Sequence, residues 1–208
     1  MTSSSYPSTP ERSRSRGRPR EFDLDAVLDQ AVRVFSERGY HGTSISDLAQ
    51  ATGLAQGSLY KAFKDKQAIF LAAFERYRLQ RGEKLRQAIG DQGTGLQRLR
   101  RLLHFYADSA CGAQGRQGCL VVASTAELST FPAPVARHIR GALERNEALL
   151  AELLRQGQED GSIAQQVDCE AAARTLLCLI QGMRLVGKAG RTRSVMHTVV
   201  DTALAMLD

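Results

Sequence analysis

The chain has 208 residues, of which 43% are hydrophobic, so it can bury a core as one long domain or two short ones. Its longest apolar runs, such as residues 120–123, are far too short to cross a bilayer, and the first residues lack the apolar segment of a secretory signal. The net charge of +6 favours an acidic partner. We therefore expect a cytoplasmic protein with no membrane partner.

Much of the positive charge lies near the N-terminus. Residues 12–20 contain five arginines and no acidic residue, alternating with Ser, Gly and Pro. Such a stretch cannot build a core and is predicted to be disordered when free. Two interpretations stay open: a solubilising tail, or an arm over residues 1–20 that follows DNA phosphates or enters a minor groove, with Arg18 and Arg20 as contacts.

The cysteines and histidines lack the spacing of a metal site. The chain has four of each, with no Cys-x-x-Cys pair and with the histidines scattered. This pattern argues against a structural zinc site and against a disulfide framework. We expect reduced thiols, no bound metal and no cofactor.

Apolar residues recur at spacings of three and four along most of the chain, which predicts helices. Asp23 and Asp168 are predicted N-caps, and either Thr43 or Ser44 is predicted to cap the helix that starts near residue 45. No segment has the pattern of a strand and no internal repeat is found, so the fold class is predicted to be all-α. About nine helices are expected, over residues 24–38, two short ones within 45–63, then 65–89, 96–110, 119–128, 132–161, 168–186 and 194–207.

Residues 45–63 have the features of a helix-turn-helix. Such a motif needs a small residue where its helices touch, here Ala49, a glycine in the turn, here Gly53, and apolar anchors on both sides. A steep crossing of the two helices leaves the second free to enter a major groove. That helix is predicted to present Gln56, Ser58, Tyr60 and Lys61 outward.

The sequence from Thr43 to Lys66, TSISDLAQATGLAQGSLYKAFKDK, resembles the DNA-binding signature of TetR/AcrR-family regulators. The strong match covers Phe22 to Tyr77, and its Gly-Ser-Leu-Tyr and Phe-Lys-Asp-Lys elements stand at the expected distances from the turn. The rest of the chain is similar mainly in the number and length of its helices. The resemblance implies a three-helix DNA-binding head, a ligand-responsive body, a homodimer formed by the last two long helices, and repression at an operator.

Together these features predict a DNA-binding head over residues 21–66 and an effector-sensing and dimerisation body over residues 67–208. The DNA contacts that the resemblance implies fall into two groups. Contacts in the groove are assigned to Gln56, Gly57, Ser58 and Tyr60. Contacts to phosphate are assigned to Ser44, Ser46 and Lys66.

Each of these contacts has a plainer alternative. Gln56 either pairs with adenine or is a solvated side chain near a helix start. Tyr60 either reaches phosphate or is a half-buried core ring, and Lys66 either binds phosphate or offsets Asp65. Ala62 stands where some family members have a polar base reader, so base specificity rests on few side chains.

The apolar helix near the C-terminus is the predicted dimer interface. Ala172, Leu176, Leu179 and Met183 follow a spacing of three and four, which suits either a partner subunit or the chain's own core. The resemblance favours the dimer. Two heads in one dimer read a palindrome in successive major grooves.

Two kinds of signal are compatible with the body. Gly118-Cys119-Leu120-Val121-Val122 resembles a segment of family members that sense electrophiles or oxidants through a cysteine. In the first turn of a helix, with Arg116 nearby, Cys119 would favour its thiolate form, and Cys111 would serve as a resolving thiol. The alternative is that Cys119 packs as a small hydrophobe.

The other signal is a small, mostly apolar molecule bound between the middle helices. Its predicted lining is Phe70, Phe74, Leu103, Tyr106, Leu128 and Phe131, with ordinary core packing as the alternative. Either signal must favour a body conformation that moves the heads, through the long helix that starts at Lys66.

Other functional classes remain as alternatives. A cysteine-dependent enzyme would use Cys119 with His104 or His138, although no local motif supports it. A sequence-independent architectural DNA-binding protein would rely on charge alone. Activation in place of repression also stays open, because the position of the operator decides it.

Overall fold

The computed structural model describes residues 23–207. Over that range the chain forms ten α-helices and no β-strand, which confirms the all-α prediction. Nine of the helices match the predicted ones, and the tenth, α6, is a short helix in a glycine-rich stretch for which no helix was predicted. The helices are α1 Leu24–Arg38, α2 Ile45–Thr52, α3 Gln56–Ala62, α4 Lys66–Ile89, α5 Gly95–Ser109, α6 Gly112–Gln117, α7 Leu120–Ala126, α8 Ala133–Glu159, α9 Cys169–Val186 and α10 Arg193–Leu204.

The N-terminal arm, with Arg18 and Arg20, lies outside the described residues. Within residues 23–207, no helix combines the length and the apolar character needed to cross a membrane. Over the same range, no group of three or more His, Cys, Asp or Glu side chains is arranged to hold a metal ion.

The helix ends follow from local side-chain chemistry. Asp23 accepts hydrogen bonds from the first backbone N–H groups of α1, and Asp168 does the same for α9. Ser44 and Asp47 form a capping box at the start of α2. Gly53 ends α2 in the left-handed conformation, with φ 68° and ψ 15°, which an L side chain rarely adopts. The N-caps predicted at Asp23 and Asp168 are therefore confirmed, and of the two candidates for α2 it is Ser44 that caps the helix.

The apolar side chains form two clusters. The first, which we call the head cluster, contains Phe35 of α1, Leu48 of α2 and Leu59 of α3, all fully buried, and extends into α4, α7 and the first half of α8. The second, the body cluster, joins α5, the second half of α8, α9 and α10. Since α1, α2 and α3 share this cluster with α4 and α7, a movement of α4 or α7 changes the packing against the head.

Helices α5 and α8 approach closely because glycine stands on both of them. A Cβ added to Gly95 would overlap the backbone of Gly157 and lie 2.7 Å from the carbonyl oxygen of Leu153. A Cβ added to Gly82, in the middle of α4, would meet no atom within 4 Å. The first glycine is therefore required by packing and the second is not.

We expect Gly95→Ala to lower the free energy of unfolding by about 1–3 kcal/mol, because the extra methyl forces two helix backbones apart. Gly82→Ala is the matched control, and it should raise the free energy of unfolding by about 0.5–1 kcal/mol through helix propensity. Urea unfolding followed by circular dichroism measures both. Equal effects of the two substitutions would contradict this account of the α5–α8 contact.

Candidate DNA-binding surface and regulatory cavity

Helix α3 presents one side to the head cluster and the other to solvent. Leu59 is fully buried, whereas Gln56, Gly57 and Lys61 are exposed. Tyr60 is 53% exposed, so its ring points outward as predicted and is not a core ring. Ser58 is half-buried. A Cβ at Gly57 would meet nothing within 4 Å, so the backbone there is open to close approach.

The two serines at the start of α2 differ in whether the helix cap already uses their hydroxyl groups. The Ser44 hydroxyl donates to the Asp47 carboxylate at 2.6 Å as part of the capping box, and Arg38 also pairs with that carboxylate. Ser46 is exposed and has no such role. The phosphate contacts of both serines stay predictions, and the one at Ser44 would compete with its cap.

Lys66 has a structural role that the sequence did not reveal. Its Nζ donates to the carbonyl oxygens of Tyr40 and Thr43, at 3.0 Å each, and lies 4.2 Å from the centre of the Tyr40 ring. The ammonium group therefore ties the start of α4 to the loop between α1 and α2. One N–H of the three remains for the predicted phosphate contact, and the interpretation of Lys66 as a partner of Asp65 is wrong.

The same loop is held from the other side by Glu127, directly after α7. Its Oε2 accepts hydrogen bonds from the backbone N–H of Tyr40 at 2.8 Å and of His41 at 3.4 Å. His41 also bonds to Thr130 at 2.7 Å. Glu127 thus joins the end of α7 to the head, a contact between residues 87 positions apart.

Cys119 lies at the other end of α7. It is the N-cap residue and not a member of the first turn, and it is 6% exposed. The Tyr77 hydroxyl donates to its Sγ at 3.2 Å. Arg184, only 1% exposed, donates to the carbonyl oxygens of Ser109 and, at 2.7 Å, of Gly118.

These neighbours set the state of the thiol. Burial by itself raises the pKa of Cys119, but the guanidinium groups of Arg184 and Arg81 and the Tyr77 hydroxyl outweigh it and hold the pKa below its ordinary value. The cation predicted for this role, Arg116, is not among the groups that lower it. Burial also raises the pKa of Tyr77, which therefore stays a donor.

The other candidate partners of Cys119 are placed elsewhere. Cys111 caps α6, donates to the Ala107 carbonyl at 3.2 Å and packs against the body cluster, while Cys119 belongs to the head cluster. A resolving role for Cys111 stays a prediction. His104 lies against His197, with ring centres 4.4 Å apart, and His138 is beside Glu75, so neither forms the pair that an enzyme would need.

A cavity of about 360 Å³ opens beside Cys119, between α4, α5, α7, α8 and α9. Of the predicted lining residues, Tyr106 and Cys119 lie in its wall. The others do not line this cavity: Phe70, Phe74, Leu128 and Phe131 pack within the head cluster and Leu103 within the body cluster, away from its wall. Phe70 shows the reason: its ring centre is 5.3 Å from that of Phe35 and 5.1 Å from that of Phe131, which leaves no space for a ligand.

The outer face of α9 and α10 carries exposed apolar side chains. The structure corrects half of the predicted interface, since Leu176 and Met183 are buried in the chain's own core. Ala172 and Leu179 are half-buried and line a groove between α9 and α10. The exposed apolar residues beside that groove are Leu185, Val186, Val195 and Met206.

Two sequence profiles match the chain. Residues 27–73 match the profile described as "Bacterial regulatory proteins, tetR family", and residues 95–203 match "Tetracyclin repressor-like, C-terminal domain". The chain belongs to the TetR family. Because members of the TetR family are transcriptional regulators, the enzyme alternative is set aside.

Similar proteins cover almost the whole chain. The HTH-type transcriptional repressor ComR of Escherichia coli K12 is 30% identical over 93% of this chain and 92% of its own length. The transcriptional regulator AcuR of Cereibacter sphaeroides is 26% identical over 97% of this chain and 93% of its own length. The TetR-family regulator CifR, solved as a cysteine mutant with 26-bp operator DNA, has a TM-score of 0.79 at 29% identity and covers 92% of this chain and 100% of its own.

We expect alkylation of Cys119 to follow pH with a midpoint below that of Cys111. The pKa of Cys119 is lowered by its cationic neighbours, so its thiolate persists to lower pH, whereas burial and Asp108 raise the pKa of Cys111. Mass spectrometry of peptides labelled with iodoacetamide measures each midpoint separately. Tyr77→Phe should raise the Cys119 midpoint and leave that of Cys111 unchanged. A Cys119 midpoint above that of Cys111 would contradict the assigned environment.

Proposed function

We propose that this protein is a homodimeric transcriptional repressor that binds a palindromic operator through α2 and α3 and is released by a signal received at the cavity. The observation that carries the proposal is the exposed face of α3, with Gln56, Tyr60 and Lys61 side by side on a head that shares its core with the cavity walls. The operator complex of the similar regulator CifR supports it. Binding chromosomal DNA would place the protein in the cytoplasm.

A dimer makes such binding specific. One short recognition helix contacts few base pairs, whereas two heads about 34–36 Å apart read two half-sites in successive major grooves. The apolar face of α9 and α10 supports a homodimer, because exposed large apolar groups such as Leu185 and Met206 are unfavourable in water. The groove beside them, lined by Ala172 and Leu179, would receive the partner's side chains.

Two helices, α4 and α7, connect the cavity with the head. Helix α4 forms part of the cavity wall and reaches the loop between α1 and α2 through Lys66. Helix α7 starts next to Cys119 at the cavity and ends at Glu127, which holds the same loop. A ligand that favours one position of these helices over another shifts the affinity of the head for DNA.

A thiol-reactive signal is the second candidate, and the lowered pKa of Cys119 favours it. Alkylation or oxidation changes the size and the hydrogen bonding of Cys119 beside Arg184, Arg81 and Tyr77. Such a change acts at the start of α7, so it uses the same route to Glu127.

We expect Lys61→Met to weaken binding to the operator and to reduce the slope of log affinity against log salt by about one, because one phosphate contact is lost. Gln56→Ala should reduce the preference for operator over random DNA by about 1–3 kcal/mol. Fluorescence anisotropy of a labelled duplex from the region upstream of the coding sequence, with excess nonspecific DNA, measures both. Lys84→Met, which removes the same charge from the exposed side of α4, is the control and should bind as the wild type.

Two results of this titration would count against the proposal. Binding without preference for any duplex, also after selection from random sequences, would indicate the architectural alternative. Unchanged binding by Lys61→Met and Gln56→Ala would move the DNA contact away from α3. A thiol oxidant added at saturation separates the two signals, since release that a reductant reverses identifies the thiol route.

We expect Leu185→Glu to convert the dimer to a monomer, because a charge placed in an apolar interface must be desolvated. Leu79→Glu is the matched control, since Leu79 of α4 is 61% exposed and Leu185 is 58% exposed. Sedimentation equilibrium measures the mass of each variant. A dimer that survives Leu185→Glu and dissociates with Leu79→Glu would place the interface on α4.

A further inference from the structure

We infer that the effector of this regulator is an organic carboxylate whose anionic group binds Arg81 in the cavity and whose apolar part fills the remaining space. The inference deepens the proposed function and rests on it for the link to operator release. Its basis is the contrast between Arg76 and Arg193, which each hold a carboxylate, and Arg81, whose corresponding N–H groups have no partner within the described residues.

Two arginines of the chain show how a guanidinium binds a carboxylate here. Arg76 uses the edge formed by Nε and Nη2 to hold Asp29, at 2.6 and 2.8 Å. Arg193 uses the same edge to hold Asp108, at 2.6 Å for both bonds. This side-on, two-bond geometry matches the two oxygens of a carboxylate.

Arg81 has the same edge without a carboxylate. Its Nε and Nη2 are buried, and neither has a hydrogen-bond partner among residues 23–207. Its guanidinium is held in place, with its centre 4.7 Å from the Phe105 ring and 4.9 Å from the Tyr106 ring. Stacking satisfies the flat face of the group and leaves its N–H edge for a ligand. A charged donor that is buried and unpaired is costly, so a carboxylate in the cavity supplies the missing partner.

Other polar groups of the cavity agree with an anionic ligand. The Nε of Arg184 is a further buried donor without a partner within the described chain. Six arginines and one acidic residue line the cavity: Arg78, Arg81, Arg86, Arg98, Arg145, Arg184 and Asp91. Arg78 and Arg86 are paired with Glu75 and Glu83. A Cys119 thiolate supplies one negative charge against both Arg81 and Arg184, so positive charge remains.

The rest of the wall sets the shape of the ligand. Apolar side chains from four helices line the cavity: Leu85, Ile89, Val121, Leu149 and Ile180. The volume of about 360 Å³ is at the small end of the usual range for small-molecule sites. A monocarboxylate with a short aliphatic or aromatic part satisfies the charge and the apolar wall together.

Isothermal titration calorimetry of the full-length dimer tests the inference. The probes are the straight-chain carboxylates from butanoate to decanoate and phenylacetate, each compared with its primary amide, which has the same shape and no charge. We expect at least one carboxylate to bind about tenfold or more tightly than its amide. Arg81→Gln should abolish this preference and Arg81→Lys should reduce it. Arg155→Gln, at an exposed arginine of α8 that pairs with Glu152 and Glu170 and does not line the cavity, is the control and should keep it.

The outcomes separate this inference from the proposed function. Carboxylates and amides that bind equally, or a preference that survives Arg81→Gln, would overturn the inference, as would a series in which no carboxylate binds more tightly than its amide. The comparison of acid with amide uses the wild-type protein and so does not depend on the folding of a variant. Operator release by an uncharged molecule alone would reject the carboxylate and keep the regulator. A carboxylate preference lost in Arg81→Gln, in a protein that binds no operator, would keep the site and reject the regulator.

Discussion

Arg184 is a charged side chain with 1% of its surface exposed. Because a buried charge is costly, the helices packed around it have to supply hydrogen-bond acceptors for its guanidinium group. Its guanidinium donates to the last turn of α5 at Ser109 and to the residue before Cys119 at Gly118. A buried charge without such partners destabilises a fold by several kcal/mol, so α5, α7 and α9 are fixed relative to one another by this group. The same charge lowers the pKa of Cys119 and contributes the positive character of the cavity.

Helix α7 connects the surroundings of Arg184 to the loop between α1 and α2. The helix has seven residues, begins beside Cys119 and is followed by Glu127, which holds the backbone of Tyr40 and His41. Its short length leaves little room for bending, so displacement at one end moves the other. The loop that Glu127 holds is also the loop that Lys66 holds. The position of the head is therefore set by two charged side chains that bind backbone groups from opposite sides.

The sequence predicted those parts of the structure that depend on residues close together in the chain. The caps at Asp23, Ser44 and Asp168 and the turn at Gly53 follow from interactions over two to four positions, and they were found as predicted. The outward direction of Tyr60 follows from its place on a short helix whose inner face Leu59 occupies.

The groups that fix the cavity wall and the loop between α1 and α2 depend on distant parts of the chain and gave no local signal. Arg184 binds carbonyl groups 66 and 75 positions away, and Glu127 binds amides 86 and 87 positions away. The pattern along α9 was ambiguous for a related reason. Residues at a spacing of three and four share one face, but the stripe alone does not say whether the chain's own core or a partner covers it. Leu176 is buried in the chain's own core, whereas Leu179 is half-buried at the groove between α9 and α10.

The free energy needed to release the proposed regulator from DNA can be compared with what ligands in one cavity or in two would supply. Moving a regulator from 1% to 99% in its released conformation needs a ligand that favours that conformation by about 5.5 kcal/mol. One hydrogen-bonded ion pair contributes about 1.5–3 kcal/mol, so the ion pair with a single Arg81 supplies only part of this, and the apolar part of the ligand would have to supply the rest. A dimer carries two cavities and moves its two heads against one operator, so two bound carboxylates supply about 3–6 kcal/mol to one transition. In the proposed homodimer, the ion pairs of two bound carboxylates would therefore add to the apolar contacts of both ligands in a single release from the operator.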